Sequence, residues 1–548
     1  MAKTSLGMSR RALMGAGAAV AVVGGAAFSL GGGAMRHTSF DDKTFNRGNS
    51  AEPDTLDPQK IQTSWENNIV GDMFLGLMTE DAAARAVPGA AESYVQSADG
   101  LTYTFKIRDH KWSDGVPVTA HDFVFSFQRI LTPKTAAQYA SLLYPIKNAQ
   151  PVNGGRMPVT ALGVRAIDDR TLEMNFEYQV PYLPELLKHY TCMPVPKHVV
   201  EKHGDQWLQA QNIATNGPYV LKEWVPNDHI TVIKNPHFYD AKNVRIETVN
   251  YYPTQDYAAA LKRFRAGEFD ITEGVPSSEF AWLRDNLPGT LRVTPYVSIA
   301  YVQFNLTKAP FNDVRVRRAV SMAIDREIMA NRVMRAGESA AYAMVPPHIP
   351  GYPGKPRLDF IGMTMAQRIA RAKALLVEAG YGPNNPLAFD YNFQGTSDAR
   401  LIAVALQSMW KGIGANVSLR PADAQVHYNQ LRRQHFQAAW AGWSADYNDA
   451  KDFLFLGQTS SNDMNIGRYS NPKFDALVAQ SDVTRDPAER AMVLQRAEQI
   501  MLDDSPFAPV YYGVSRNIVS KQVRNWIGND VNINRTRYIQ LDRSVAEV

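Results

Sequence analysis

The first residues to weigh are those whose types and spacing would permit covalent or metal chemistry. His198 and His203 bracket Val199-Val200-Glu201-Lys202, a pattern close to a zinc-peptidase helix. Those helices set two histidines four apart on one face. A spacing of five turns the second ring by roughly 140° on a 3.6-residue helix, so the pair is expected to be a solvated helix end. Gly351-Tyr352-Pro353-Gly354-Lys355 lacks the spacing and the Ser/Thr of a phosphate loop, and no Gly-x-Ser-x-Gly elbow occurs. Cys192 is the only cysteine, which excludes an internal disulfide and a cysteine-clustered metal site; it is expected to be a small buried hydrophobe. No reactive constellation stands out. The chain is expected to bind rather than catalyse, without cofactor or metal.

Composition sets the frame for that binding. At 548 residues the chain is long enough for two or three lobes. Lys+Arg of 58 against Asp+Glu of 54 leaves no basic stripe to draw nucleic acid. Arg10-Arg11 precede an uncharged, glycine-rich run from Gly15 to Ala34. This is the pattern of an export leader of twin-arginine type over residues 1–34, and its glycines disfavour a stable membrane-spanning helix. No later stretch is long and apolar enough to span a membrane. The mature protein is expected to be exported, monomeric and outside the cytoplasm.

The elements that must position a binding site alternate between strand and helix types. Tyr103-Thr104-Phe105-Lys106-Ile107 has a period of two, predicting a half-buried strand, followed by turn chemistry at Ser113-Asp114-Gly115. Thr119 and Asp122 are spaced as a capping pair ahead of a helical face of Phe123, Phe127, Ile130 and Leu131. Val316, Ala319, Val320, Ala323 and Ile324 form another helical stripe, with Arg315, Arg317 and Arg318 expected on its solvated side. Leu401 to Trp410 predicts a further amphipathic helix; Val417-Ser418-Leu419 and Phe436 to Trp440 predict strands on either side of a helical piece. The mixture predicts an α/β protein.

Four segments resemble, in order and spacing, the oligopeptide- and dipeptide-binding proteins of ABC importers, and they extend over nearly the whole mature chain. They are Trp112-Ser113-Asp114-Gly115-Val116-Pro117 through Phe123; Thr215-Asn216-Gly217-Pro218-Tyr219 with Asn235-Pro236-His237-Phe238-Tyr239; Pro310-Phe311-Asn312-Asp313-Val314-Arg315-Val316-Arg317; and Gly442-Trp443-Ser444-Ala445-Asp446-Tyr447-Asn448. The resemblance implies a bilobal periplasmic-binding-protein fold of three domains. A discontinuous domain I would cover residues 35–74, 196–297 and 514–548, domain II residues 75–195, and domain III residues 298–513. Hinge crossovers would lie near 297 and 514. It also implies that ligand is enclosed between the lobes and delivered to permease subunits in the inner membrane.

Residue roles follow from the same resemblance. Asp446 matches the aspartate that pairs with a ligand α-amine, the alternative being a loop Asp that caps a turn. Gly442 and Trp443 match a ligand channel built from backbone and indole, with Ser444 beside them; Trp443 in an interlobe core is the alternative. Tyr296 and Tyr301 resemble cleft-lining tyrosines at the hinge, and Gln62, Ser64 and Tyr139 are first-lobe contacts. The carboxylate end departs from the pattern. Trp440 stands where the family has a basic residue, and Leu431 stands at a second such position, beside Arg432 and Arg433. A family histidine aligns near Ala399, beside Arg400. Arg432 and Arg400 are therefore candidates for the ligand carboxylate, plain surface charge being the alternative. A short peptide is the expected ligand. A murein peptide or peptide-like antibiotic on the same fold, and an exported peptide hydrolase, are the competing readings.

Overall fold

The computed structural model describes residues 41–347, 349 and 351–546, so the leader lies outside the described residues. One large sheet threads the molecule. Its order is Asn416–Ala422, Ala388–Gln394, Ala438–Ser444, Leu291–Phe304, Phe507–Val519, Ile271–Glu273, Thr44–Gly48, Thr248–Tyr252, His229–Lys234 and Tyr219–Val225, with Ser339–Ala340 attached to Phe507–Val519. Parallel pairs join Thr44–Gly48 to its two neighbours and Ala388–Gln394 to its two; the other pairs are antiparallel. Parallel neighbours require crossovers, supplied here by helices such as Ser397–Lys411. A separate antiparallel sheet takes Ala91–Gln96, Thr102–Ile107, Thr171–Asn175 and Val164–Asp168 in that order. The architecture is the α/β one expected.

Leu291–Phe304 and Phe507–Val519 pair in two stretches. Leu291 to Pro295 faces Val514 to Ile518, the ladder breaks between Pro295 and Ile299, and Ile299 to Gln303 then faces Phe507 to Tyr512. Proline has no N–H to give the ladder, which is a physical reason for a break there. On one side of the break the neighbour is Ile271–Glu273, on the other Ala438–Ser444.

Local expectations meet the structure well where one periodicity dominates. Tyr103, Phe105 and Ile107 are buried on one face of Thr102–Ile107. The Thr119 N–H donates to Asp122 Oδ2 at 2.9 Å, closing the capping box of helix Ala120–Leu131. Asp313 caps Val314–Met322, Ser397–Lys411 covers the predicted helix, and Ala424–Arg432 lies between the two late strands. Two expectations need correction. The strand placed at Phe436 to Trp440 is Ala438–Ser444, so it carries the Gly442-Trp443 pair itself. Arg317 is not on a solvated face: it is 6% exposed and donates to the carbonyls of Phe311 at 2.8 Å and of Asp504 at 2.7 Å. Those carbonyls sit at a turn and at the last residue of helix Pro487–Asp504, where intrahelical partners run out. Cys192 is buried as expected, and burial pushes its thiol up to about 12.

Candidate functional site

A cavity of about 250 Å³ opens where Ala438–Ser444 and its following loop face helix Ser64–Met73 and the 138–143 and 189–190 segments. Gln62, Ser64, Tyr139, Tyr296, Tyr301, Arg432, Gly442, Trp443, Ser444 and Asp446 all line it. Trp440 and Arg400 do not. Trp440 pairs with Val302 and turns its ring onto Tyr511, centroids 5.8 Å apart. Arg400 sits in the first turn of Ser397–Lys411, donates from Nε to the Gly395 carbonyl, and lines a different, open pocket with Asp256 and Asp423.

The backbone makes one wall. Ser298 to Phe304 pairs with the whole of Ala438–Ser444 on one side, but Ala388–Gln394 pairs with it only at Ala438 and Ala439 on the other. The far edge of Gly442-Trp443-Ser444 is thus unpaired and faces the cavity, a template for main-chain hydrogen bonding. Gly442 is exposed, and a Cβ built on it would meet only the Ile299 carbonyl, at 3.2 Å.

Aromatic rings make the other walls. Trp443 is half-buried, stacked on Tyr139 at 6.2 Å and edge-on to Phe455 at 5.4 Å, so it serves both cavity wall and packing. Burial, then the neighbouring Asp446 carboxylate, raises Tyr139 and Tyr190 well above the usual phenol range. Burial pushes Tyr296 up to about 12. These phenols stay protonated and can donate.

The polar groups are few. Asp446 is the one carboxylate and Arg432 the one Arg or Lys lining the cavity among the described residues. Arg432 donates to Gln62 Oε1 at 3.1 Å and Asn429 Oδ1 at 2.6 Å. Asp446 does not cap the turn that follows it; Asp449 does, accepting from the Lys451 N–H at 2.9 Å. Asp446 Oδ1 instead lies 3.2 Å from His189 Nε2, and its Oδ2 is buried without a protein partner. Behind it, fully buried Asp452 accepts through Oδ2 from the Asp446 N–H at 2.9 Å and from Trp443 Nε1 at 3.1 Å. Burial, and then the charge of Asp446, hold the Asp452 carboxyl well above the usual carboxylate range. Sequence reasoning missed His189, Tyr190, Tyr428 and Asp452. The one available signal was the recurrence of Asp452 six residues after Asp446 in a turn-rich block; His189 stands in no motif.

A family model described as bacterial extracellular solute-binding proteins, family 5 middle, matches residues 85–465. This chain belongs to that family. Its members are transport receptors, which sets aside the hydrolase reading. The periplasmic oligopeptide-binding protein OppA of Salmonella typhimurium is 37% identical over 528 residues, 95% of this chain and 97% of that one. The periplasmic murein peptide-binding protein MppA of Escherichia coli is 35% identical over 495 residues, 89% of this chain and 91% of that one. Among solved structures, Haemophilus influenzae OppA in complex with the peptide RPPGFSPFR superposes with a TM-score of 0.89 at 33% identity, covering 92% of this chain and 99% of that one. An unliganded open form of MppA, also 33% identical and covering 92% and 98%, gives 0.64. The family fold is shared throughout, and the conformation described here is nearer to the peptide complex.

Proposed function

We propose that this chain captures short peptides between two lobes and delivers them to the permease subunits of an ABC importer. The observation that carries this reading is one combination: the unpaired edge of Gly442-Trp443-Ser444 runs directly into Asp446, whose Oδ2 is unspent. Peptides of varied sequence share only an α-amine, a backbone and an α-carboxylate. An exposed strand edge serves the backbone by strand addition, whatever the side chains. Asp446 takes the amine, and Arg432, held by Gln62 and Asn429, faces the carboxylate. Tyr139, Tyr296, Tyr301 and Trp443 wall the side-chain space, and Ser64 and Ser444 add hydroxyls to its lining.

The lobes of this reading are residues 35–74, 196–297 and 514–548 with 75–195, and residues 298–513. The break in the ladder between Pro295 and Ile299, with Val514 on one side and Tyr512 on the other, supports a hinge at that level. Relatives carry periplasmic names, and among the described residues no helix is long and apolar enough to cross a membrane. The twin-arginine leader then accounts for export to the periplasm.

A second reading stays within the fold: one defined amine-bearing solute, such as a murein peptide. It is favoured by the loss of basic side chains at Trp440 and Leu431, which leaves Arg432 alone at the carboxylate end. Native mass spectrometry of gently purified protein separates the two. A heterogeneous set of peptides of about two to five residues is expected; a single defined species supports the second reading, and no amine-bearing ligand of any kind overturns both.

A further inference from the structure

We propose, resting on the reading that Asp446 holds a ligand ammonium group, that His189 and Asp452 are positioning residues that fix the orientation and the net charge of that carboxylate. Three buried groups meet here with unspent valences: His189 Nε2, Asp446 Oδ2 and Asp452 Oδ1 have no aligned hydrogen-bond partner. His189 is 5% exposed and Asp446 12% at the side chain. Unpartnered polar atoms at such burial are costly unless something completes them.

The charge count decides what completes them. Asp452 clamps the Asp446 N–H and the Trp443 indole with one oxygen, while Lys451, its neighbour in the chain, pairs with Asp482, and Arg490 with Asp449. Were both carboxylates ionised in this buried site they would repel, so Asp452 is held as the neutral acid and supports Asp446 without adding charge. His189 Nδ1 accepts from the Thr191 N–H at 3.5 Å and lies 2.9 Å from its Oγ1. An accepting Nδ1 places the proton on Nε2, which lies 3.2 Å from Asp446 Oδ1. A neutral imidazole supplies a donor and no charge. The assembly then carries a single negative charge with one free oxygen, matched to one ammonium group.

The other groups facing His189 are neutral or engaged elsewhere. Tyr139 and Tyr190, with ring centroids at 5.3 and 3.8 Å, are phenols kept protonated by burial. Glu66, on helix Ser64–Met73, is pushed up by burial and occupied in its capping box. Lys188 turns away, donating to the Ala84 carbonyl and pairing with Glu185 at 2.7 Å.

The test has two arms. In ligand-free protein, nitrogen NMR of the imidazole is expected to show the proton on Nε2 and a shift of that signal in Asp446→Asn; a proton on Nδ1, or no response to Asp446→Asn, overturns the proposal. With trialanine as the probe in calorimetry, His189→Gln, whose amide keeps a neutral donor, is expected to bind within about threefold of wild type, and His189→Ala at least about tenfold more weakly. Equal affinities of wild type and His189→Ala, or equal losses in His189→Gln and His189→Ala, overturn the proposal. Asp452→Asn is expected to bind trialanine at least about tenfold more tightly than Asp452→Ala, because a neutral amide can replace a neutral acid. Equal losses in the two overturn the role of Asp452. If wild-type protein does not bind trialanine, it is the peptide reading that fails, and the imidazole arm alone judges His189.

Discussion

Tyr182 lies flat on Tyr447, ring centroids 4.7 Å apart and planes within 11°. The two come from opposite sides of the proposed cleft. Around them, Arg490 sits 5.8 Å over the Tyr182 ring and donates to both oxygens of Asp449, at 2.7 and 2.9 Å, while Lys451 pairs with Asp482 beneath Tyr178. This contact joins segment 178–182 to segment 447–490 without touching the 250 Å³ cavity. An aromatic pair contributes about 0.5–1.5 kcal/mol beyond its area. Tyr182→Ala is therefore expected to speed peptide dissociation by about two- to tenfold while leaving the cavity lining intact. Stopped-flow release of a fluorescent peptide measures it, and an unchanged rate would show that the stack does not hold the closed form.

Removing the proposed amine anchor should be costly. Asp446→Ala takes away the one carboxylate lining the cavity among the described residues, so a desolvated ammonium group would lose its counter-charge. Peptide affinity is expected to fall at least tenfold, about 1.4 kcal/mol or more. Calorimetry with a folded variant settles it, and equal affinities would remove Asp446 from the site.

Gly442 tests the backbone edge. Since an added Cβ meets little beyond the Ile299 carbonyl, Gly442→Val should fold, its branched side chain being suited to a strand. It would stand where a peptide backbone must approach. The expected outcome is a melting temperature within a few degrees of wild type and an affinity lower by about tenfold. Wild-type affinity would exclude strand addition at this edge.

Acid stability should depend on Glu80. Its carboxylate accepts from Arg535 Nη2 at 2.8 Å, with both side chains 3% exposed. Burial alone would raise the carboxyl; the charge of Arg535, followed by Lys188 and Arg537, outweighs it and brings the group down to about 2 from 4.5. A depressed folded-state value gives stability that is present above about pH 4.5 and lost as pH falls toward about 2, of the order of 3 kcal/mol. Glu80→Gln should lower the denaturation midpoint at neutral pH, with the gap to wild type closing by about pH 2. A gap independent of pH would assign the effect to packing. Gly71 belongs to the same arrangement, since a Cβ there would fall 1.8 Å from Arg535 Nη1.

Much of the fold was legible because its signals are local. The alternation of Tyr103, Phe105 and Ile107 and the Thr119/Asp122 pair each act within one turn or one strand, where sterics and capping dominate. Arg317 was misplaced for the opposite reason. Its charge suggested solvent, but besides the Phe311 carbonyl it satisfies those of residues 504 and 505, nearly two hundred positions away. Trp440 and Arg400 were grouped with the site by alignment of neighbours. The strand instead packs Trp440 on Tyr511, and the first turn of its helix holds Arg400 by another pocket.

By itself the sequence determined the α/β class, the family and the block that carries Asp446, because residue type, period and motif spacing are written along the chain. Only the tertiary structure decided which side chains share one cavity and in what state. His189 and Asp446 are 257 positions apart and meet at 3.2 Å; Asp452 becomes a neutral support only once it is buried beside Asp446. Charge compensation and desolvation depend on distances in space, and those distances are set when the sheet and the loops around it close.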